Sequence, residues 1–374
     1  MEFVHNSSSS AIRELDLKLG SPTTSLSSSQ PHRMLQVARF AWATLCFNVA
    51  VMLWGTYVRA TGSGAGCGDH WPVCNGDVLG SSAKVQTLIE FTHRMTSAIA
   101  LLMVGCLVVW GWRVTSKGDW ARYSAVIAAV LLANEALLGA ALVLLGYVAQ
   151  DKSAARVLFL GLHFGNSFLL LATLALTAAW LSNGSGRYRV IRRRRQVTAI
   201  GAGLLATMVI GITGAVAALS DTLFPATSLR SSLLLDVSPR APALLHFRLL
   251  HPPIAILSAC YIAWVIFTSS IRERRVSQRA IGLILLLVAQ LGIGVMNVLL
   301  LAPLGLQILH LFVADVLWVV LVLVSADLVL ERENAHKETA PLRSDLLRAG
   351  GYSQDSAQRR MQNHFGKSTR SHLP

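Results

Sequence analysis

The feature that most constrains this chain is a series of eight apolar runs, each long enough to cross a bilayer. They cover roughly residues 37–59, 86–112, 123–148, 156–182, 198–219, 244–268, 279–301 and 306–330. A helix needs about 20 apolar residues to cross the hydrocarbon core. Strands of a membrane barrel would instead alternate polar and apolar over about ten residues. The runs here are continuous, so each predicts a helix. Only 14% of the residues are charged and mean hydropathy is +0.53, too apolar a balance for an ordinary soluble domain. The fold class is all-α, polytopic and membrane-embedded, and the lipid bilayer is the first partner.

The net charge of +14 is topological. Arg113, Lys117 and Arg122, then Arg187, Arg189 and Arg192 to Arg195, then Arg272, Arg274, Arg275 and Arg279 fall in alternate connections. The opposite connections hold Lys84, Lys152, Arg230 and Arg240. Thirteen against four is a positive-inside bias, which places both termini in the cytoplasm and the chain in a cell (inner) membrane. Nucleic acid is excluded as a partner. Residues 1–34 are polar and Ser-rich without the apolar core of a signal peptide, and 331–374 read as a polar, disordered tail.

Four histidines stand out within these runs, because ionisable groups are costly in lipid and by default suggest a site. His93 and His163 each lie about seven residues into an inward-running span, on the order of 10 Å below the outer surface. His251 repeats that depth, and His310 lies near the outer end of the last span. Gln290-Leu-Gly-Ile-Gly294 resembles Asn134-Glu-Ala-Leu-Leu-Gly139 in character, and His310-Leu-Phe-Val-Ala-Asp answers His163-Phe-Gly-Asn-Ser-Phe. This predicts two tandem four-helix bundles, 35–182 with an outer loop at 60–85 and 198–330, joined by a basic linker at 183–197. Four spans is an even number, so the pseudo-twofold axis lies along the membrane normal.

Two imidazoles at equal depth on different helices are what a six-coordinate haem requires. The bland reading of each histidine is an interhelical hydrogen bond. His246 is a rival to His251 on another helix face, and His70 is expected to face solvent. Arg59, Arg94 and Arg248 are candidates for haem propionates, since a guanidinium suits a carboxylate; otherwise they snorkel. Zinc lacks clustered ligands in the spans. Glu90-x-x-His93 matches half of a carboxylate di-iron site, but its counterpart is Arg248-x-x-His251, so the second acid is missing. The same mismatch makes the halves unequal: Glu90 gives the first site a carboxylate for chemistry, and the second site can simply hold a haem. Glu135 and Asp315 are proton-path residues or hydrogen-bonded helix contacts.

The glycines at 62, 64, 66 and 68 follow no strand, so they are not a dinucleotide fingerprint. Cys67 and Cys74 in that loop face an oxidising compartment, where they form a disulfide, stay free, or act as a transient redox pair. Cys46, Cys106 and Cys260 are small residues within spans.

These stretches resemble the haem A synthase family. The resemblance rests on Gly55-Thr-Tyr-Val-Arg59-Ala-Thr-Gly-Ser-Gly-Ala-Gly66-Cys67, Trp71-Pro72, Cys74 and Ile89-Glu90-Phe-Thr-His93-Arg94. In the second half it rests on Asp221-Thr-Leu-Phe-Pro225, Arg248-Leu-Leu-His251-Pro252 and Leu309-His310-Leu. It covers roughly 37–330; the polar tails and Pro252 depart from some members. The resemblance implies that His251 and His310 hold haem b and that His93 and His163 bind haem O as substrate, with Glu90 essential beside them. It further implies a cysteine pair at Cys67 and Cys74. The reaction it implies oxidises a ring methyl of haem O to formyl by two hydroxylations and loss of water. The implied partners are the haem O-producing farnesyltransferase, an unidentified electron acceptor or donor, and a second copy of the chain. The competing reading is a non-catalytic bis-histidine haem b cytochrome exchanging electrons with quinone. A transporter fits less well, because the polar residues gather near one face rather than the midplane.

Overall fold

The computed structural model describes residues 29–74, 84–191, 193–273 and 278–333. The tails at 1–28 and 334–374, part of the outer loop at 75–83, and Arg192, Arg274 and Arg275 of the positive-inside count lie outside the described residues. Eight helices are long and apolar enough to cross a membrane. They are α1 (Ser29–Ala60), α2 (Val85–Val114), α3 (Trp120–Leu144), α4 (Ala154–Ser182), α5 (Arg194–Leu223), α7 (Ala243–Glu273), α8 (Gln278–Leu299) and α9 (Leu304–Val329). A short α6 (Leu229–Asp236) crosses the outer connection between α5 and α7.

Helices prevail because hydrocarbon offers backbone amides no other partner. Their ends carry local signals. Asp119 caps α3 by accepting from the Ala121 amide at 2.9 Å, and Ser153 caps α4 by accepting from the Arg156 amide at 3.2 Å. Ser228 and Ser231 form a reciprocal capping box at α6. The third span stops at Leu144 rather than at the expected 148, because Gly146 turns the chain with φ +71°.

The connection between α4 and α5 adds one element to the all-helical plan. In the basic linker, β1 (Tyr188–Val190) pairs antiparallel with β2 (Leu330–Arg332), with Arg189 opposite Glu331. The Arg332 guanidinium donates to the carbonyls of Asn183 and Gly184 at 2.9 and 3.1 Å. The linker is thereby tied to the chain leaving the last span, so residues 331–333 of the expected tail are ordered.

Helix contacts run in two circuits. In the first, α1 packs on α2 and α4, and α3 packs on α2 and α4. In the second, α5 packs on α7 and α9, and α8 packs on α7 and α9. The circuits meet where α4 touches α5 and α9, and where α1 touches α9 and α5. Trp318 of α9 anchors that seam: its indole N–H donates to the Phe168 carbonyl at 2.6 Å, and the two rings stack with centroids 5.1 Å apart. Between α4 and α5 the approach depends on Gly211, where a Cβ would stand 2.7 Å from the Phe164 ring. Membrane helices gain their attraction from such close packing, since lipid tails are as apolar as leucine.

Candidate functional site

A cavity of about 1250 Å³ opens between the helices and reaches both circuits. It exceeds the roughly 300–1,000 Å³ of a site for one drug-sized ligand. His93, His163, His251 and His310 all line it. His93 lies near enough to His163 for their charges to interact, and His310 likewise to His251.

Each imidazole rests against a glycine of the preceding span. A Cβ on Gly55 of α1 would lie 3.0 Å from His93 Cε1, and one on Gly214 of α5 would lie 2.9 Å from His251 Cε1. The distances are 3.2 Å from Gly294 of α8 to His310 and 3.7 Å from Gly139 of α3 to His163. Glycine lets the ring approach a neighbouring backbone where a side chain would crowd it. The arrangement occurs four times, once for every histidine of the set.

The imidazoles make few contacts with the protein: the Gln290 amide lies 3.3 Å from His310 Nε2, and Glu135 Oε1 lies 3.3 Å from His163 Nδ1. Nδ1 of His93, His163 and His310 is buried without a hydrogen-bond partner, and Nδ1 of His251 has only the Thr213 hydroxyl at 3.2 Å. Among the described residues, no group of three or more His, Cys, Asp or Glu stands ready to hold a bare ion. Paired imidazoles suit iron whose other four donors come from a porphyrin. The donor set and the cavity therefore fit a haem in each pair.

Glu90 lies one turn before His93, lines the cavity and is only 3% exposed. Its Oε1 accepts from Arg94 at 2.6 Å, and its Oε2 accepts from the Cys67 amide at 2.9 Å. The outer loop makes this possible by pressing onto the start of α2. At Gly66 a Cβ would stand 2.5 Å from the Gln86 backbone, and the Thr87 hydroxyl donates to the Gly66 carbonyl at 2.6 Å. Cys67 and Cys74 are joined as a disulfide, which closes the loop. Arg94 also donates to the loop carbonyls of His70 and Pro72 at 2.7 and 3.2 Å. His70 itself is exposed, as expected.

Arg248, the counterpart of Glu90, sits in a different net. It pairs with Asp221 at 2.9 Å and grips Asp236 at the end of α6, Nε lying 3.0 Å from Oδ1. Arg59 reaches from α1 into the second circuit and donates to the Ala218 carbonyl and Thr222 hydroxyl, both at 2.7 Å, and to Gln307 at 3.1 Å. All three arginines line the cavity with these donors engaged by the protein. Asp221 and Asp236 were given no role from sequence. Asp236 stands twelve residues from Arg248 outside its helix, so helical spacing gives no hint of the pair. His246 and Asp315 do not line the cavity, and Asp315 is fully buried with no partner for either oxygen. Glu135 does line it, beside His163.

The COX15-CtaA family, described as cytochrome oxidase assembly protein, matches residues 38–322. Over 299 residues the chain is 43% identical to protoheme IX farnesyltransferase of Thermus thermophilus, covering 79% of this chain and 49% of that one. It is 37% identical over 145 residues to Heme A synthase of Halalkalibacterium halodurans, covering 39% of this chain and 45% of the relative. With Heme A synthase of Geobacillus kaustophilus it shares 37% over 137 residues, or 37% and 41% of the two chains. The chain spans about half the length of the curated relatives it matches.

Proposed function

This chain belongs to the COX15-CtaA family of cytochrome oxidase assembly proteins, the haem A synthase family, and on that premise we propose that it oxidises a ring methyl of haem O to formyl. Two successive hydroxylations and the loss of one water complete the conversion to haem A. The observation that carries this reading is the fourfold seating of cavity histidines on glycines, with the buried carboxylate of Glu90 one turn before His93.

In this reading residues 35–182 and 198–330 are two four-helix bundles related by a pseudo-twofold axis along the membrane normal, with 183–197 as linker and both termini cytoplasmic. His93 and His163 hold the iron of haem O. His251 and His310 hold haem b, which supplies one-electron redox chemistry to the second half. Glu90 faces the first pair, where it stabilises positive charge at the reacting methyl carbon or takes a proton from water. Arg94 and the Cys67 amide fix the orientation of its carboxylate. An ionised carboxylate has about four lone-pair sites, so these two bonds leave acceptor capacity toward the cavity. Arg59 and Arg248 stiffen the outer rim of the second half and meet propionates only by exchanging present partners.

The Thermus relatives bear the name of a prenyl transferase, and this chain covers about half of them. We assign the shared half to the oxidation of haem O, and expect the enzyme that makes haem O to be a working partner. An electron acceptor or donor completes the cycle.

A second reading is favoured by one observation: both Glu90 oxygens are already bonded, as they would be if the residue only pinned the outer loop. The chain would then be a bis-haem cytochrome. Extracting haems from membranes that co-express the chain with a haem O source separates the two. The synthase yields haem A, and Glu90→Ala leaves haem O or a hydroxylated intermediate, with haem A down about 100-fold or more. A cytochrome yields haem b with both chains.

A further inference from the structure

Beyond this assignment, and resting on His163 as a ligand, we propose that Glu135 is a positioning residue that makes the first iron site more electron-rich than an uncharged partner would. Glu135 Oε1 lies 3.3 Å from His163 Nδ1, within ion-pair range, and that buried nitrogen makes no hydrogen bond to any other group. The carboxylate is itself held in place. Ser167 and Asn166, four and three residues beyond His163, both donate to it. Asn166 is held in turn by the Leu131 carbonyl at 2.9 Å and by the Asn134 amide at 2.8 Å. Ser167 also lies 3.0 Å from the His163 carbonyl. The network thus spans α3 and α4 and aims a fixed carboxylate at the back of one imidazole.

A histidine that ligates through Nε2 directs its Nδ1–H away from the metal. A carboxylate accepting that proton fixes the tautomer and ring orientation, and raises the basicity of the ligating nitrogen. A more basic axial ligand favours the ferric over the ferrous state, which lowers the potential.

The second half carries an uncharged glutamine at the equivalent sequence position, and it meets the other ring nitrogen. Glu135 stands four residues before Gly139, the seat of His163; Gln290 stands four residues before Gly294, the seat of His310. The Gln290 amide lies 3.3 Å from His310 Nε2, and His310 Nδ1 has no partner. Thr213 is the polar neighbour of His251, and His93 Nδ1 has none. Of the four imidazoles, only that of His163 faces a carboxylate. The carboxylate therefore holds the potential of the first site below the value an uncharged partner would give.

Spectroelectrochemical titration of the full-length, haem-loaded chain tests this. Glu135→Gln raises one midpoint potential by about 59 mV, a tenfold change in the ferric–ferrous equilibrium of a one-electron couple, and leaves the other in place. Glu135→Asp, which keeps the charge, lies between parent and Gln. A merely structural role for Glu135 would change haem content without moving the potential of the haem that remains. His163→Ala removes the couple that Glu135→Gln moves. Unshifted potentials in haem-bearing Glu135→Gln overturn the role of Glu135 and leave the ligand assignment standing. A His163→Ala chain that keeps both couples overturns the ligand assignment and the inference with it.

Discussion

Gly214 and His251 touch so closely that a methyl group on the glycine would lie 2.9 Å from the imidazole Cε1. The same seat recurs at Gly55, Gly294 and Gly139, with the gap widening from 3.0 to 3.2 to 3.7 Å. This gradient makes the four glycines a built-in series. Gly214→Ala and Gly55→Ala push the ring aside at an overpacking cost of about 1–3 kcal/mol, or roughly five- to a hundred-fold in haem retention. Gly139→Ala meets only ordinary van der Waals contact and keeps its haem. Haem-to-protein ratios of purified variants check the order; equal losses at Gly214 and Gly139 would show that the rings are not positioned this way.

Arg248 carries two carboxylates, and the side chains of Asp236 and Asp221 are 5% and 26% exposed. Removing the cation strands Asp236 without its counter-charge. Arg248→Ala is expected to cost about 3–5 kcal/mol, read as a lowered Tm in detergent. Arg248→Lys recovers little, because a point charge cannot reproduce the planar fork that reaches both acids. Full recovery by lysine would contradict this geometry.

The Cys67–Cys74 disulfide predicts a simple labelling pattern. Of the five cysteines, Cys67 and Cys74 react with an alkylating reagent only after reduction. Replacing both with serine removes a short closed loop, worth about 2–3 kcal/mol by loop-closure entropy. It also slackens the Cys67 amide that orients Glu90. Haem A formation should fall in that variant while haem b is kept; loss of haem b with haem A unchanged would contradict the link.

The eight helices could be read from sequence because apolar continuity at this length has no other use than crossing a bilayer. The ribbon between Tyr188–Val190 and Leu330–Arg332 could not, since its three-residue strands lie some 140 residues apart and show no alternation to detect. The histidines stood out because lipid makes each of them costly. Their glycine seats did not, because glycine is common in membrane helices and its use here appears only when the neighbouring ring is in view. Arg59, Arg94 and Arg248, the propionate candidates, line the cavity, and their donors meet Glu90, aspartates, carbonyls and polar side chains that helical spacing did not point to. Which of its neighbours an arginine faces is decided by loops, whose paths the sequence leaves open.

The most direct test of two paired sites is the haem content of the purified full-length chain after substituting one histidine of each pair. His251→Ala is expected to lose haem b and keep binding of added haem O, whereas His93→Ala keeps haem b and loses haem O. Loss of both haems from each variant, or of neither, would contradict two independent histidine pairs.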